Sequence, residues 1–182
     1  MKYVALLRGI NVGGKNRIKM ADLKKCFEDL GFENVITYIQ SGNVIFETDK
    51  SASSAAKQIE TALPKKFKLD SDSIKTLVLS QKQFKTIIDK APKEFGKKPD
   101  KYYYDFVFLK GITSEKAARE FESNPEVDTL WIGPGVIYHR RLTAKRTKSR
   151  MAKIVGKPVY KNVTIRSWST TSKILALIDG DN

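Results

Sequence analysis

GFENVITYIQSGNVIFE, residues 31–47, decides the architecture. Residues 35–39 and 43–47 are two β-rich runs, and Gln40, Ser41 and Gly42 between them read as a tight hairpin turn. Upstream, residues 2–7 alternate Tyr3, Ala5 and Leu7 with Val4 and Leu6, which predicts a strand apolar on both faces. Met20, Leu23, Cys26, Phe27 and Leu30 then recur at three- and four-residue steps, one apolar stripe on a helix that stops at Gly31. Downstream, Asp49 or Ser51 can cap a helix whose Ala55, Ile59, Ala62 and Leu63 face inward and which Pro64 is expected to end. Residues 74–79 read as the next strand. The order is β-α-β-β-α-β, the split βαβ arrangement of a ferredoxin-like plait.

The same order recurs further along. Ser80 and Gln83 have capping-box spacing ahead of a helix with Phe84, Ile87, Ile88 and Ala91 on its apolar face. PKEFGKKPDK, residues 92–101, has the composition of an exposed connection between compact units. Residues 102–109 form a strongly predicted strand and 114–123 a helix. Runs 127–132 and 136–139 make a second hairpin around Gly133, Pro134 and Gly135. Residues 145–155 read as a basic helix, 163–166 as a strand and 172–178 as a last helix ended by Gly180. The fold expected is therefore α+β, two ferredoxin-like (βαββαβ) plait subdomains in tandem: residues 1–95 with a bridging helix, and a basic subdomain over residues 96–182. No residue-level repeat relates the halves.

Composition narrows the function classes. The chain has 182 residues, 41% apolar and 30% charged, enough for a packed core without disulfides or a structural metal. One Cys and one His remove the usual zinc and iron–sulfur ligand sets, and no cofactor motif is present. The apolar run VALL ends at Arg8, too short for a signal-peptide core or a membrane span, so a cytoplasmic protein with no membrane partner is expected. A formal charge of +14 attracts polyanions.

Three stretches can hold an anion. In RGINVGGKNR, residues 8–17, Gly9, Gly13 and Gly14 let backbone N–H groups turn toward one point, and Arg8, Lys15 and Arg17 add charge, with Asn11 between them. The spacing meets neither the P-loop nor the GxGxxG fingerprint. A long turn with solvated cations accounts for the same residues. Gln40, Ser41 and Asn43 put amide and hydroxyl groups on the hairpin turn, where turn chemistry alone also explains them. The two loops of one plait are expected at opposite ends of the sheet. Near the C-terminus, residues 129–178 contain no Asp or Glu and eleven Lys or Arg, among them Lys148, Arg150 and Arg166. Arg166 and Trp168 stand two residues apart, a pairing that clamps a base or phosphate, although Trp168 also suits a core. The aromatic pattern of an RNA-recognition motif is missing: the third strand offers only Phe46 and the first only Tyr3. The face Tyr102, Tyr104, Phe106 and Phe108 reads as core. No recognisable nucleophile motif accompanies His139, and no catalytic residue is assigned.

LLRGINVGG at 6–14, GFENVITYIQSGNVIF at 31–46 and TIRSWSTTSKILAL at 164–177 together resemble the bacterial family designated domain of unknown function 1697. The resemblance runs nearly end to end and implies two plait-like α/β subdomains in one chain. It implies no substrate, reaction or cofactor. Members usually read Arg-Asn-Trp where this chain has Arg166, Ser167 and Trp168, and often Ser-Lys-Leu where it has Ser149, Arg150 and Met151. Three functional readings follow: a non-catalytic binder of an anionic ligand or nucleic acid; an enzyme acting on a small phosphorylated substrate in a cleft between subdomains, with His139 as base; and an interaction scaffold without ligand.

Overall fold

The computed structural model describes residues 1–71 and 74–180. The chain forms mixed α+β structure with two four-stranded antiparallel sheets, each with helices. It groups into two compact units, Met1–Lys85 with Ile174–Asn182, and Thr86–Lys173.

The first unit contains β1 (Lys2–Leu7), α1 (Met20–Asp29), β2 (Glu33–Tyr38), β3 (Asn43–Glu47), α2 (Ala52–Lys66) and β4 (Thr76–Ser80). Its strands lie in the order β2-β3-β1-β4, with β3 antiparallel to both β1 and β2. The predicted alternation is realised. Tyr3, Ala5, Leu7, Val44 and Phe46 join Leu23, Phe27, Ile59 and Leu63 in one core, while Val4, Leu6 and Ile45 are buried on the other face of the sheet. Cys26 is buried in the α1 stripe, and burial pushes its thiol pKa up. Ser51 caps α2 by accepting from Ser54 N. Pro64 does not end α2, contrary to the sequence expectation. It sits inside the last turn, where its missing N–H removes a single intrahelical bond and the helix closes three residues later with Phe67 N donating to Leu63 O.

In α3 (Gln81–Asp89) both arms of the expected capping box form: Ser80 N donates to Gln83 Oε1 at 2.9 Å and Gln83 N to Ser80 Oγ at 3.3 Å. The second unit is built from β5 (Tyr102–Leu109), α4 (Ser114–Ala118), β6 (Asp128–Gly133), β7 (Val136–Leu142) and β8 (Val163–Ser167); α5 (Trp168–Asp179) follows, its residues from Ile174 on belonging to the first unit. Its strands lie in the order β6-β7-β5-β8, the order of the first sheet repeated. One face carries Val107, Leu109 and Ile137 against Phe121, Met151 and Ile154. The other carries Tyr104, Phe106 and Tyr138 around Phe95, which makes edge contacts to all three rings.

Two helix expectations in this unit fail. The helix predicted over 114–123 stops at Ala118, and the basic helix predicted over 145–155 is replaced by two 3-10 segments, Thr143–Lys148 and Met151–Gly156. The second break lies at Asp128. Its Oδ2 accepts from Asn124 N at 2.9 Å and Arg150 N at 3.0 Å, and its Oδ1 from Ser149 Oγ at 2.6 Å. A buried carboxylate must be hydrogen-bonded, and the Arg150 amide, once given to Asp128, is not free for the intrahelical bond that a helix through 145–155 requires.

Candidate functional site

The loop leaving β1 is a small hairpin of its own. Val12 and Lys15 bridge, Lys15 N donating to Val12 O at 3.1 Å, across Gly13 (φ +58°) and Gly14 (φ +76°), the positive pair that a primed turn requires. Two asparagines hold it in place. Asn11 exchanges bonds with Ile18, Nδ2 to O at 2.9 Å and Oδ1 from N at 2.8 Å. Buried Asn16 donates Nδ2 to Gly9 O and accepts at Oδ1 from Asp70 N. Arg17 Nε returns to Gly14 O at 3.1 Å, which lays the guanidinium along the turn.

The β2–β3 turn meets this loop. Asn11 Nδ2 donates to Gln40 O at 2.8 Å, and Leu7 N to Gly42 O at 2.8 Å. Gly42 lies so close that a Cβ there would fall 2.7 Å from Ile10 Cδ1. The expectation that the two loops lie at opposite ends of the sheet is therefore wrong. β1 and β2 are both antiparallel to the strand between them, hence parallel to each other, so the chain leaves both at the same edge. Ile39 in the turn has φ +47°, a left-handed conformation costly for a β-branched residue. Asn43 is buried and donates to Tyr38 O and Ser41 Oγ, so its amide and the Ser41 hydroxyl brace the turn.

Between the loops lies an open depression of about 590 Å³ lined by Asn11, Gly14, Arg17, Lys19, Met20 and Gln40. None of its lining residues is acidic. Lys19 is the extended N-cap of α1 and makes no side-chain cap bond. Gly13 and Lys15 are exposed at the tip of the turn, and Arg8 is half-buried beside the strand end, its N–H donating to Lys75 O. Of the predicted residues in this unit, the structure thus brings Asn11, Gly14 and Gln40 to one concave surface; Lys19 and Met20 join them without having been singled out.

The second unit treats its predicted residues differently. Trp168 is stacked on Phe106 at 5.8 Å and meets Phe95 edge-on, so the indole packs in an aromatic cluster. Arg166 pairs with Phe106 across β8 and β5, and burial pushes its guanidinium pKa down to about 10. The acid-free stretch finds carboxylates just upstream of itself: Lys145 pairs with Glu126 at 3.6 Å, and Lys153 and Lys157 with Glu122 at 2.7 and 3.4 Å. Lys148 and Arg150 are exposed, and among the described residues no carboxylate oxygen lies within 4 Å of their side-chain nitrogens, although the Arg150 amide donates to Asp128.

His139 is sealed in the sheet at 0% exposure. Its Nε2 lies 3.1 Å from Asp128 Oδ1 and its Nδ1 3.5 Å from Asp105 Oδ2, which also meets Arg141 at 3.4 Å. The Ser149 hydroxyl donates to Asp128 and not to the imidazole, so these residues do not form a base-activated nucleophile. Burial raises the Asp128 pKa, but bonds from Ser149, the Asn124 and Arg150 amides and His139 outweigh it and hold the carboxyl below the usual range. This cluster escaped the sequence reading, although one signal was visible: Asp105 interrupts the otherwise apolar and aromatic run YYYDFVFL.

No helix among the described residues is long and apolar enough to cross a membrane, and no group of three potential metal ligands is found among them. Residues 1–138 match the family described as protein of unknown function, DUF1697. The solved structure of a conserved bacterial protein from Streptococcus pneumoniae is similar, with 28% identity and a TM-score of 0.79 over 97% of this chain and 98% of that one. No curated protein matches.

Proposed function

The chain belongs to the DUF1697 family of proteins of unknown function, and we propose that it is a non-catalytic protein that binds an anionic ligand in the depression between the β1–α1 loop and the β2–β3 turn. One observation carries this reading: two loops, bonded to each other through Asn11 and Gln40, enclose an acid-free concavity with Arg17 and Lys19 in its wall. Phosphate is the anion such a wall suits, since guanidinium and ammonium groups beside exposed glycine backbone supply charge and donors together. In the same proposal each unit is a ferredoxin-like plait, supported by the strand order common to both sheets. The phosphate belongs to a phosphorylated small molecule or to nucleic acid; Lys148 and Arg150, exposed and with side chains in no ion pair among the described residues, would serve the second. The enzyme reading is weaker because its candidate base, His139, is inaccessible to a substrate.

Titrating ¹⁵N-labelled protein with pyrophosphate, a mononucleotide and a single-stranded oligonucleotide tests the proposal. Saturable shifts of the Gly13 and Gly14 amides are expected, weakened about tenfold or more by Arg17→Gln with Lys19→Gln. With the oligonucleotide, log K falls linearly with log salt, with a slope of about −0.7 per phosphate neutralised. Glycine amides that stay unmoved by every probe, or shifts indifferent to the double substitution, would refute it.

A further inference from the structure

Arg140 lies on β7 of the second unit between two aromatic rings. Its guanidinium carbon is 4.3 Å from the centroid of Tyr102 and 5.2 Å from that of Trp131, with the three residues on neighbouring strands β5, β7 and β6. Nη2 donates to Thr129 Oγ1 at 3.3 Å, while Nε is buried with no hydrogen-bond partner. Lys101 places Nζ 5.4 Å from the same Tyr102 ring. The neighbouring arginine is compensated: Arg141 meets Asp105 at 3.4 Å. Among the described residues, Arg140 and Lys101 have no carboxylate oxygen within 4 Å.

A guanidinium is taken partly out of water here without a counter-charge, and a second cation is gathered to the same ring. Ring quadrupoles offset part of that cost and hold the fork flat, but they provide no acceptor for its N–H groups. Arg140, Tyr102 and Trp131 are half-buried, so the group is open on one side. We propose that the Tyr102–Arg140–Trp131 stack, with Lys101, is a second anion site that takes a phosphate oxyanion, either free or as the phosphodiester of a single strand. With Nε buried and one Nη2 hydrogen given to Thr129, Nη1 and the second Nη2 hydrogen are the donors left for phosphate oxygens, a pair held flat by two rings that a lysine in its place cannot reproduce. The guanidinium occupies the inner face of each ring, so a base does not stack between them.

The site carries its own reporter. Both tryptophans of the chain lie in the second unit, and Trp131 touches the group that would bind. Intrinsic fluorescence of the full chain is titrated with sodium pyrophosphate and, separately, with an eight-nucleotide single-stranded DNA, each against KCl at matched ionic strength. A saturable change beyond the KCl control is expected with at least one probe: with both for a site that accepts any phosphate, with the oligonucleotide alone for one that needs a strand. Arg140→Gln abolishes the change and Arg140→Lys weakens it at least tenfold; Arg140→Lys keeps charge and most of the stem, so it remains informative if the glutamine variant misfolds. Arg17→Gln with Lys19→Gln leaves the change intact, which separates this site from the depression in the first unit. No change beyond KCl with either probe, an unweakened response in Arg140→Lys, or loss of the response in the Arg17/Lys19 variant overturns the proposal.

Discussion

Asp128→Ala removes the carboxylate on which four donors converge: Ser149 Oγ and His139 Nε2 at one oxygen, and the Asn124 and Arg150 amides at the other. Each neutral bond to an ionised acceptor contributes ~1.5–3 kcal/mol, the set is not additive, and breaking a buried charged network costs about 3–5 kcal/mol. With a urea dependence of ~1–3 kcal/mol/M, the unfolding midpoint should fall by on the order of 2 M. Tryptophan fluorescence is the assay, since Trp131 and Trp168 both report on the second unit. Asp128→Asn should cost less. Its oxygen can keep the two backbone donors while its amide turns toward the Ser149 hydroxyl and the imidazole, which can exchange roles as donor and acceptor. Because the folded-state carboxyl titrates below its unfolded value of ~3.9, its contribution is present above that pH and disappears as pH falls through the depressed value. The gap between wild type and Asp128→Asn therefore closes in acid. A midpoint unchanged in Asp128→Ala, or a gap between wild type and Asp128→Asn that widens below pH 4, would show that the cluster does not hold the 143–156 segment.

Ile39→Asn should stabilise the protein by about 1 kcal/mol, because asparagine tolerates the left-handed φ of +47° and Ile39 is 47% exposed, leaving little burial to lose; thermal unfolding followed by circular dichroism checks it. Asn11→Ala should cost about 1–3 kcal/mol by leaving the Ile18 backbone and Gln40 O without partners, and should speed amide exchange at residues 11–18 and 39–42 more than in the β1–β3 ladder. Cys26, 1% exposed and with its thiol pKa raised by burial, should react with an aromatic disulfide reagent at least about 10³-fold more slowly in the folded chain than in urea, the factor that an opening free energy of ~4 kcal/mol gives.

Features governed by neighbours within a few residues were legible in the chain. The two-sided strand at 2–7, the α1 stripe with Cys26 inside it, the Ser51 cap, the Ser80–Gln83 capping box and the paired glycines of the β1–α1 turn all form as their local chemistry dictates. The strand 102–109 matches to the residue. These signals act over one helical turn, one strand or one tight turn, and that is the distance over which spacing in a sequence corresponds to distance in space.

What the tertiary structure decided depends on groups far apart in the chain. Gln40 meets Asn11 because an intervening antiparallel strand makes β1 and β2 run the same way, a consequence of strand order that neither loop encodes by itself. The basic segment breaks at Ser149 because Asp128, twenty-one positions earlier, needs donors once buried, and burial is a property of the assembled sheet. Likewise an acid-free run of cations is not an uncompensated one, since Glu122 and Glu126 reach it across the fold. Local composition determined the strands and most of the helices this protein makes; packing broke the basic segment and decided which charges are left to meet a ligand, because electrostatic and hydrogen-bond demands are satisfied by nearness in space.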